Sequence, residues 1–111
     1  MRQWEIWEFP FPNASMPHPC IVVSPNSVCT DINYSVINVL PCQSLRPGMR
    51  RRANEFFVDQ SDGLDNQTLV KYSVIQALPK TLARIKRGEL CDTRRRDLSD
   101  ALSRFYDIRR R

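Results

Sequence analysis

Prolines divide the first half of this chain into short segments, and they constrain the fold more than any other sequence feature. Four prolines stand within residues 10–19. A proline fixes φ and has no N–H to donate, so this stretch predicts a loop rather than a helix or a central strand. Pro25 and Pro41 each follow an apolar run, residues 20–24 and 34–40, which predicts a buried strand that ends at the proline.

Further segments have the short apolar or alternating pattern of strands, with turn residues between them. They are residues 4–9, 52–58, 69–78 and 82–87. The last is expected to end at Gly88, and a turn is expected at residues 61–63. Together the segments predict a sheet of short strands over about residues 3–90.

The pattern changes near the C-terminus. An apolar stripe at helical spacing predicts an amphipathic helix over about residues 93–107, and it comprises Leu98, Ala101, Leu102 and Phe105. Asp92 or Thr93 is the expected cap. The arginines at residues 94–96 oppose the helix dipole, which indicates either a further role for them or a crowded solvated surface.

Six strands followed by one helix predict a mainly β fold with a C-terminal helix. The expected form is a small, strongly bent antiparallel barrel packed on that helix. The chain has 111 residues, a length typical of one domain, so a single domain over residues 1–111 is expected. Strands that are apolar on both faces indicate that one face of the sheet packs on a second chain.

Positive charge is concentrated in two places. Residues 80–111 hold eleven Lys and Arg against five acids, and a basic cluster occupies residues 46–52. The net charge is +5. These features favour a polyanionic partner, with nucleic acid the first candidate, and the alternative is a set of solvated charges.

Several other classes are disfavoured. No apolar run approaches the roughly 20 residues that span a bilayer. The N-terminus alternates polar and apolar residues without the apolar segment of a signal peptide, so a cytoplasmic protein is expected. The four cysteines form no Cys-x-x-Cys pair and His18 is the lone histidine, which argues against a structural metal. Disulfides are allowed by the number of cysteines alone, but a secretory context is missing.

The order of segments resembles the PemK/MazF-type toxins of bacterial toxin–antitoxin systems. Residues 1–9 are similar to the family's first strand, and the run His-Pro-Cys-Ile-Val-Val-Ser-Pro at residues 18–25 resembles its Arg-Pro-Ala-Val-Val-Leu-Ser-Pro. Residues 39–44 match a strand that ends in Pro-x-Thr. Residues 72–80 resemble its Cys-Asp-Gln-Ile-Arg-Thr-Leu-Asp-Lys strand.

The resemblance implies an SH3-like barrel that forms homodimers and cuts single-stranded RNA without a metal or another cofactor. It also implies an antitoxin partner, whose extended acidic tail fills the RNA groove, and operator DNA bound through the antitoxin complex. In this chemistry a 2′-hydroxyl attacks the adjacent phosphate, which requires a base, an acid and cationic stabilisation.

The resemblance also places candidate catalytic residues. His18 stands where the family has an arginine, and Gln43 or Ser44 stands in place of its threonine. An imidazole, with an ordinary pKa of about 6.5, can act as acid or base near neutral pH. It cannot form the bidentate phosphate contact of a guanidinium, and Arg46 could supply that charge instead. The alternatives are a rigid-loop role for His18, turn chemistry at Gln43 and Ser44, and a surface charge at Arg46.

Five further residues are expected to bind RNA. Phe11 is the best candidate to stack on a base, since it lies in the proline-rich loop. Arg50 and Arg52 would share one face of a strand and follow the phosphate chain. Ser73 and Gln76 stand where the family has its Asp and Arg.

The replacement of the family's polar site residues leaves a second interpretation of the function open. The same barrel could act as a non-catalytic module that inhibits a protein target, as the related CcdB-type gyrase inhibitors do, or that binds DNA with its antitoxin. A third reading is an inactive interaction protein.

Overall fold

The computed structural model describes residues 1–12, 14–45 and 55–108. In these ranges the chain forms antiparallel strands and ends in a helix, which confirms the expected fold class. In chain order the elements are β1 (Glu5–Phe9), β2 (His18–Val22), α1 (Asn26–Cys29), β3 (Val36–Ser44), β4 (Glu55–Val58), β5 (Thr68–Lys71), β6 (Gln76–Pro79), β7 (Lys86–Glu89) and α2 (Asp92–Phe105). Neither described helix has the length and hydropathy to cross a bilayer.

Strand β3 is the centre of the sheet. The strands follow the order β4-β5-β3-β2-β1-β7, and β6 also pairs with β3. The expected end of this strand at Pro41 is wrong, because β3 continues to Ser44. Val39 pairs with Gln76 of β6 and Cys42 pairs with Val70 of β5. Pro41 therefore lies at the junction where β3 changes partner, a place where a missing N–H interrupts neither ladder.

The single strand expected over residues 69–78 is in fact two strands. A turn after β5, closed by a hydrogen bond of 3.1 Å from the Val74 N–H to the Lys71 carbonyl, separates it from β6. Both strands run antiparallel to β3, one beside each half of it. Alternating apolar residues continue through the break, so periodicity alone does not reveal it.

Gly88 lies inside a strand rather than after one. Lys80–Leu82 forms a 3-10 turn, and the strand in this region is β7, four residues later than the expected start at residue 82. A Cβ at Gly88 would overlap the carbonyl oxygen of Asp62, and Gly63 has a φ of +95°. The two glycines therefore allow two backbone segments to touch, which side chains would prevent.

The sheet has an apolar cluster associated with α2 and a second cluster away from it. The first includes Ile6, Leu40 and Leu98, and the second includes Phe9, Val22 and Val39. Burial of such side chains contributes about 1.5–3 kcal/mol each to folding. The clusters fix which face each strand turns outward.

Helix α2 confirms most of the expected stripe. Leu98 is fully buried, and Ala101 and Leu102 pack against the same cluster. Phe105 is 48% exposed. The expected cap is wrong, since the helix begins at Asp92 and its N-cap residue, Cys91, makes no side-chain capping hydrogen bond.

The strand expected over residues 20–24 is followed by an element that the sequence analysis did not foresee. Pro25 precedes the one-turn helix α1 and has the extended backbone of an N-cap residue. Its carbonyl accepts hydrogen bonds from the N–H groups of Val28 and Cys29. Proline fits there because the first helical turn needs no N–H from it.

Candidate functional site

An open groove of about 600 Å³ lies between the proline-rich loop and strands β2, β3, β5 and β6. Its polar lining consists of His18, Gln43, Lys71 and Gln76. Its apolar lining consists of Phe11, Pro12, Ala14, Pro41, Cys42, Leu69 and Val74. A concave apolar surface with a few converging polar groups is the usual form of a binding site.

Strand register explains why these residues meet. Cys20 pairs with Pro41 across β2 and β3, so two residues further along the same register His18 comes beside Gln43. Gln43 in turn pairs with Leu69 of β5. Cross-strand partners lie on the same face of a sheet, and thus one row of the groove face runs from His18 through Gln43 to Leu69.

His18 is an exposed strand residue rather than a loop residue. It is the first residue of β2 and pairs with Phe9 of β1. The Phe11 ring meets the imidazole edge-on, with ring centroids 5.7 Å apart and planes inclined by 62°. The pairing with β1 and the contact with the Phe11 ring hold His18 at the mouth of the groove.

The other expected site residues divide into three groups. Phe11, Gln43 and Gln76 line the groove together with His18. Ser44 and Ser73 do not line it: Ser44 is the exposed last residue of β3, and Ser73 lies in the turn between β5 and β6. The third group, Arg46, Arg50 and Arg52, falls outside the described residues.

Gln76 has a shielded amide oxygen at the groove. Its Oε1 atom is inaccessible to solvent and has no hydrogen-bond partner among the described residues. A buried polar atom without a partner costs about 1–3 kcal/mol.

Lys71 is a groove residue that the sequence analysis missed. It is the exposed last residue of β5 and lies two positions after Leu69, on the same face of the strand. It stands alone in a region of apolar residues, away from both basic clusters of the sequence. Alternation along β5 was the only available signal.

The arginines at the start of α2 hold the helix to the sheet. Arg94 donates to the Phe57 carbonyl at 2.9 Å and forms ion pairs with Asp59 at 3.1 Å and Asp62 at 3.3 Å. Arg95 donates to the Leu90 carbonyl at 2.6 Å. These contacts are the further role that the unfavourable placement of residues 94–96 indicated, while Arg96 is exposed.

A second groove, also of about 600 Å³, follows this junction of α2 with β4 and β5. Its charged lining has both signs, with Asp59, Asp97 and Asp100 beside Arg94 and Arg104. Hydrogen bonds from Ser61, with a smaller effect of Arg94, lower the pKa of Asp59. Three carboxylates make this groove a poor surface for a polyanion.

The thiols near the first groove are neutral. Burial raises the pKa of Cys20 to about 12. Burial, together with the neighbouring Cys20, raises the pKa of Cys42 well above its ordinary value. A protonated thiol is a poor nucleophile and a poor metal ligand. Among the described residues no three His, Cys, Asp or Glu side chains form a cluster that could hold a metal ion.

Comparison with known proteins identifies the fold. No protein-family model and no curated protein matches the sequence. Among solved structures, an endoribonuclease in complex with its cognate antitoxin from Mycobacterial species aligns with a TM-score of 0.81 and 15% identity, over 100% of this chain and 99% of that one. The Mycobacterium tuberculosis toxin MazF-mt6 aligns with a TM-score of 0.78 and 19% identity, over 96% and 99%.

A third structure, a MazE-MazF complex from Deinococcus radiodurans, aligns with a TM-score of 0.77 and 13% identity, over 98% of this chain and 97% of that one. The chain therefore has the fold of the MazF toxins along nearly its whole length. This confirms the resemblance to PemK/MazF-type toxins at the level of the fold.

Proposed function

We propose that this chain, with its MazF-type fold, is the toxin of a type II toxin–antitoxin system and a metal-independent endoribonuclease for single-stranded RNA. The observation that carries the proposal is the groove, where an exposed imidazole lies beside an amide and near an ammonium. The similar structures include an endoribonuclease and toxin–antitoxin complexes.

The reaction is a transesterification. The 2′-hydroxyl oxygen forms a bond to the adjacent phosphorus as the bond from phosphorus to the 5′-oxygen breaks. A base takes the proton of the 2′-hydroxyl and an acid gives a proton to the leaving oxygen, so the products are a 2′,3′-cyclic phosphate and a 5′-hydroxyl. Such proton transfers contribute about 10²–10⁴-fold to a rate.

His18 carries one of these proton transfers, because it presents an exposed imidazole at the groove. Gln43, beside it in the register, donates a hydrogen bond to the phosphate. Ser44 and Arg46 complete the proposed catalytic group from the end of β3, with Arg46 supplying positive charge to the transition state.

The remaining proposed contacts bind the RNA strand. Phe11 stacks on a base, supported by its position in the groove next to His18. Gln76, which also lines the groove, contacts the RNA strand. Arg50, Arg52 and Ser73 contact the phosphate chain.

We also propose a homodimer of the single domain over residues 1–111, in the cytoplasm. Exposed apolar side chains before and at the start of β3 support a second copy, since Ile32 is 95% exposed and Tyr34 and Val36 lie close by in the chain. The acidic tail of an antitoxin would occupy the same groove as RNA, and the complex would bind operator DNA through the antitoxin.

Purified protein incubated with a long single-stranded RNA in EDTA tests the proposed activity. We expect fragments that end in a cyclic phosphate and begin with a 5′-hydroxyl, as read by end-specific labelling. Intact RNA over a wide range of protein concentration would overturn the proposal.

One observation favours the second candidate function, a non-catalytic inhibitor of a protein target. His18 replaces the arginine of the similar family, and an imidazole lacks the paired donors of a guanidinium. The double variant His18→Ala and Arg46→Ala separates the two functions in growing bacteria. Growth inhibition that survives both substitutions indicates the non-catalytic module.

A further inference from the structure

Lys71 brings a positive charge into the groove at a position that the resemblance does not assign. It is the only Lys or Arg among the described residues that line this groove. Glu55 of β4 is its cross-strand partner, and the side chain of Glu55 lies outside the described residues. With the carboxylates whose side chains the structure describes, the Lys71 ammonium forms no ion pair. The side chain is exposed at the end of β5.

Five other described cations are engaged in contacts within the chain. The Lys80 ammonium donates to the carbonyls of Val28 and Asp31 at 2.6 and 2.9 Å. The remaining ion-paired cations are Lys86, Arg87, Arg94 and Arg95. A cation held by a carboxylate or a carbonyl must give up that contact before it binds a phosphate, and none of the described carboxylate side chains imposes that cost on Lys71.

Strand geometry places Lys71 within reach of the His18 row. Continuing the register of β3 with β5 brings Lys71 beside Pro41, one row away from Gln43 and Leu69. Neighbouring strands lie about 4.8 Å apart, and each residue spans about 3.3 Å along a strand. The Cα atoms of Lys71 and His18 are two strand spacings apart across the sheet and two residues apart along it, a separation of about 12 Å. Two long side chains that lean toward one another can contact one phosphate or two successive phosphates across that span.

We propose that Lys71 binds a backbone phosphate of the RNA strand in the groove, next to His18, and supplies there the positive charge that a histidine in place of arginine does not. An ammonium has three donors and no acceptor, so it suits a phosphate oxygen. This inference rests on the proposed function, because it names how the same groove holds its substrate.

Binding of a 2′-O-methyl RNA, which cannot be cut because it lacks the nucleophile, tests Lys71 without cleavage. For Lys71→Met we expect affinity about tenfold lower at 0.1 M salt. The slope of log K against log salt should shrink by about 0.7, the contribution of one phosphate contact on a single strand. Lys71→Arg, which keeps the charge, should bind within about twofold of the wild type.

Arg96→Met is the matched control, since it removes one exposed positive charge on α2 and Arg96 does not line the groove. We expect its affinity and salt slope to match the wild type, and circular dichroism to show that all variants are folded. Equal affinity and slope for Lys71→Met and Arg96→Met, with a wild type that binds and cuts RNA, would overturn the role of Lys71 alone. A wild type that neither binds nor cuts RNA would overturn the proposed function itself.

Discussion

The groove at β2, β3 and β5 and the junction of α2 with the sheet use positive charge in opposite ways. At the junction, Arg94 contacts a carbonyl and two carboxylates, and Asp62 is buried beneath it. In the groove, His18 and Lys71 are exposed, and no described carboxylate pairs with Lys71.

This difference shows that the number of basic residues in a segment is a poor guide to its partner. The C-terminal segment is the more basic part of the sequence, yet Arg94 and Arg95 at the start of α2 are engaged in contacts within the chain. Lys71, by contrast, is the only Lys or Arg among the described residues that line the groove. The predictions below test whether the two regions separate function from stability.

The largest expected effect is at His18. His18→Ala should lower the cleavage rate by about 10²–10⁴-fold, since it removes a proton-transfer group. Because the side chain is exposed, the free energy of unfolding should change by less than about 0.5 kcal/mol. Gel assays of RNA cleavage and urea unfolding measure the two quantities.

Ser15→Ala is the control for this variant, because Ser15 is an exposed residue of the loop that precedes β2 and does not line the groove. It should cut RNA at the wild-type rate. Cleavage by His18→Ala at that same rate would remove the imidazole from the mechanism.

The junction should show the reverse pattern. Arg94→Met leaves the carboxylate of Asp62 buried without its ion pair, so the free energy of unfolding should fall by about 3 kcal/mol. RNA cleavage well below the unfolding temperature should be unchanged. Arg96→Met serves as the stability control, and an Arg94→Met protein as stable as this control would break the comparison.

A smaller effect is expected at Glu5, a buried carboxyl bound by Lys86 at 2.8 Å. Burial alone raises the pKa of Glu5, but hydrogen bonds from Lys86, Trp7 and the backbone of Arg2 outweigh it, so the net shift is downward. Glu5→Gln should lower the free energy of unfolding by about 1 kcal/mol at pH 7.

The pH dependence of this difference follows from the sign of the shift. A carboxyl with a lowered pKa stabilises the fold above its unfolded pKa, here the ordinary 4.5, and loses that contribution as the pH falls through the folded value. The difference in stability between the wild type and Glu5→Gln should therefore shrink as the pH falls below 4.5 and through the lower folded pKa of Glu5. A difference that stays constant from pH 7 to pH 3 would contradict this account.

The smallest effect concerns the reactivity of the cysteine thiols, of which Cys42 lines the groove. Cys20, Cys29 and Cys42 are buried and Cys91 is exposed. A thiol reagent should modify one cysteine rapidly in the folded protein and all four after unfolding. Cys91→Ser should abolish the rapid phase. Rapid modification that persists in this variant would show that a buried cysteine becomes accessible in the folded protein.

The fold could be predicted from sequence because its main signals are local. Prolines and β-branched runs marked β2 and the first part of β3, and helical spacing marked α2. The failures at Pro41 and Gly88 have another cause. A proline or a glycine usually ends a strand. Pro41 is tolerated inside β3 because the strand changes partner there, and Gly88 is tolerated inside β7 because it packs against Gly63.

The site was predicted where the resemblance supplied a position and, for Phe11, where the proline-rich loop did. His18, Gln43, Gln76 and Phe11 were named and line the groove, although their roles remain predictions. Lys71 was missed because its place depends on the register between β3 and β5, and two separate strands there were read as one. A non-local pairing of this kind leaves no trace in the periodicity of either strand.

The nine residues of β3 belong to both halves of the sheet, since the first part of the strand pairs with β6 and its last part with β5. A ligand that binds Gln43 therefore contacts a strand that pairs with both β5 and β6. A ligand that binds this strand only in the native form should then raise the melting temperature of the whole sheet. The sheet should still unfold in a single transition, with neither half unfolding before the other.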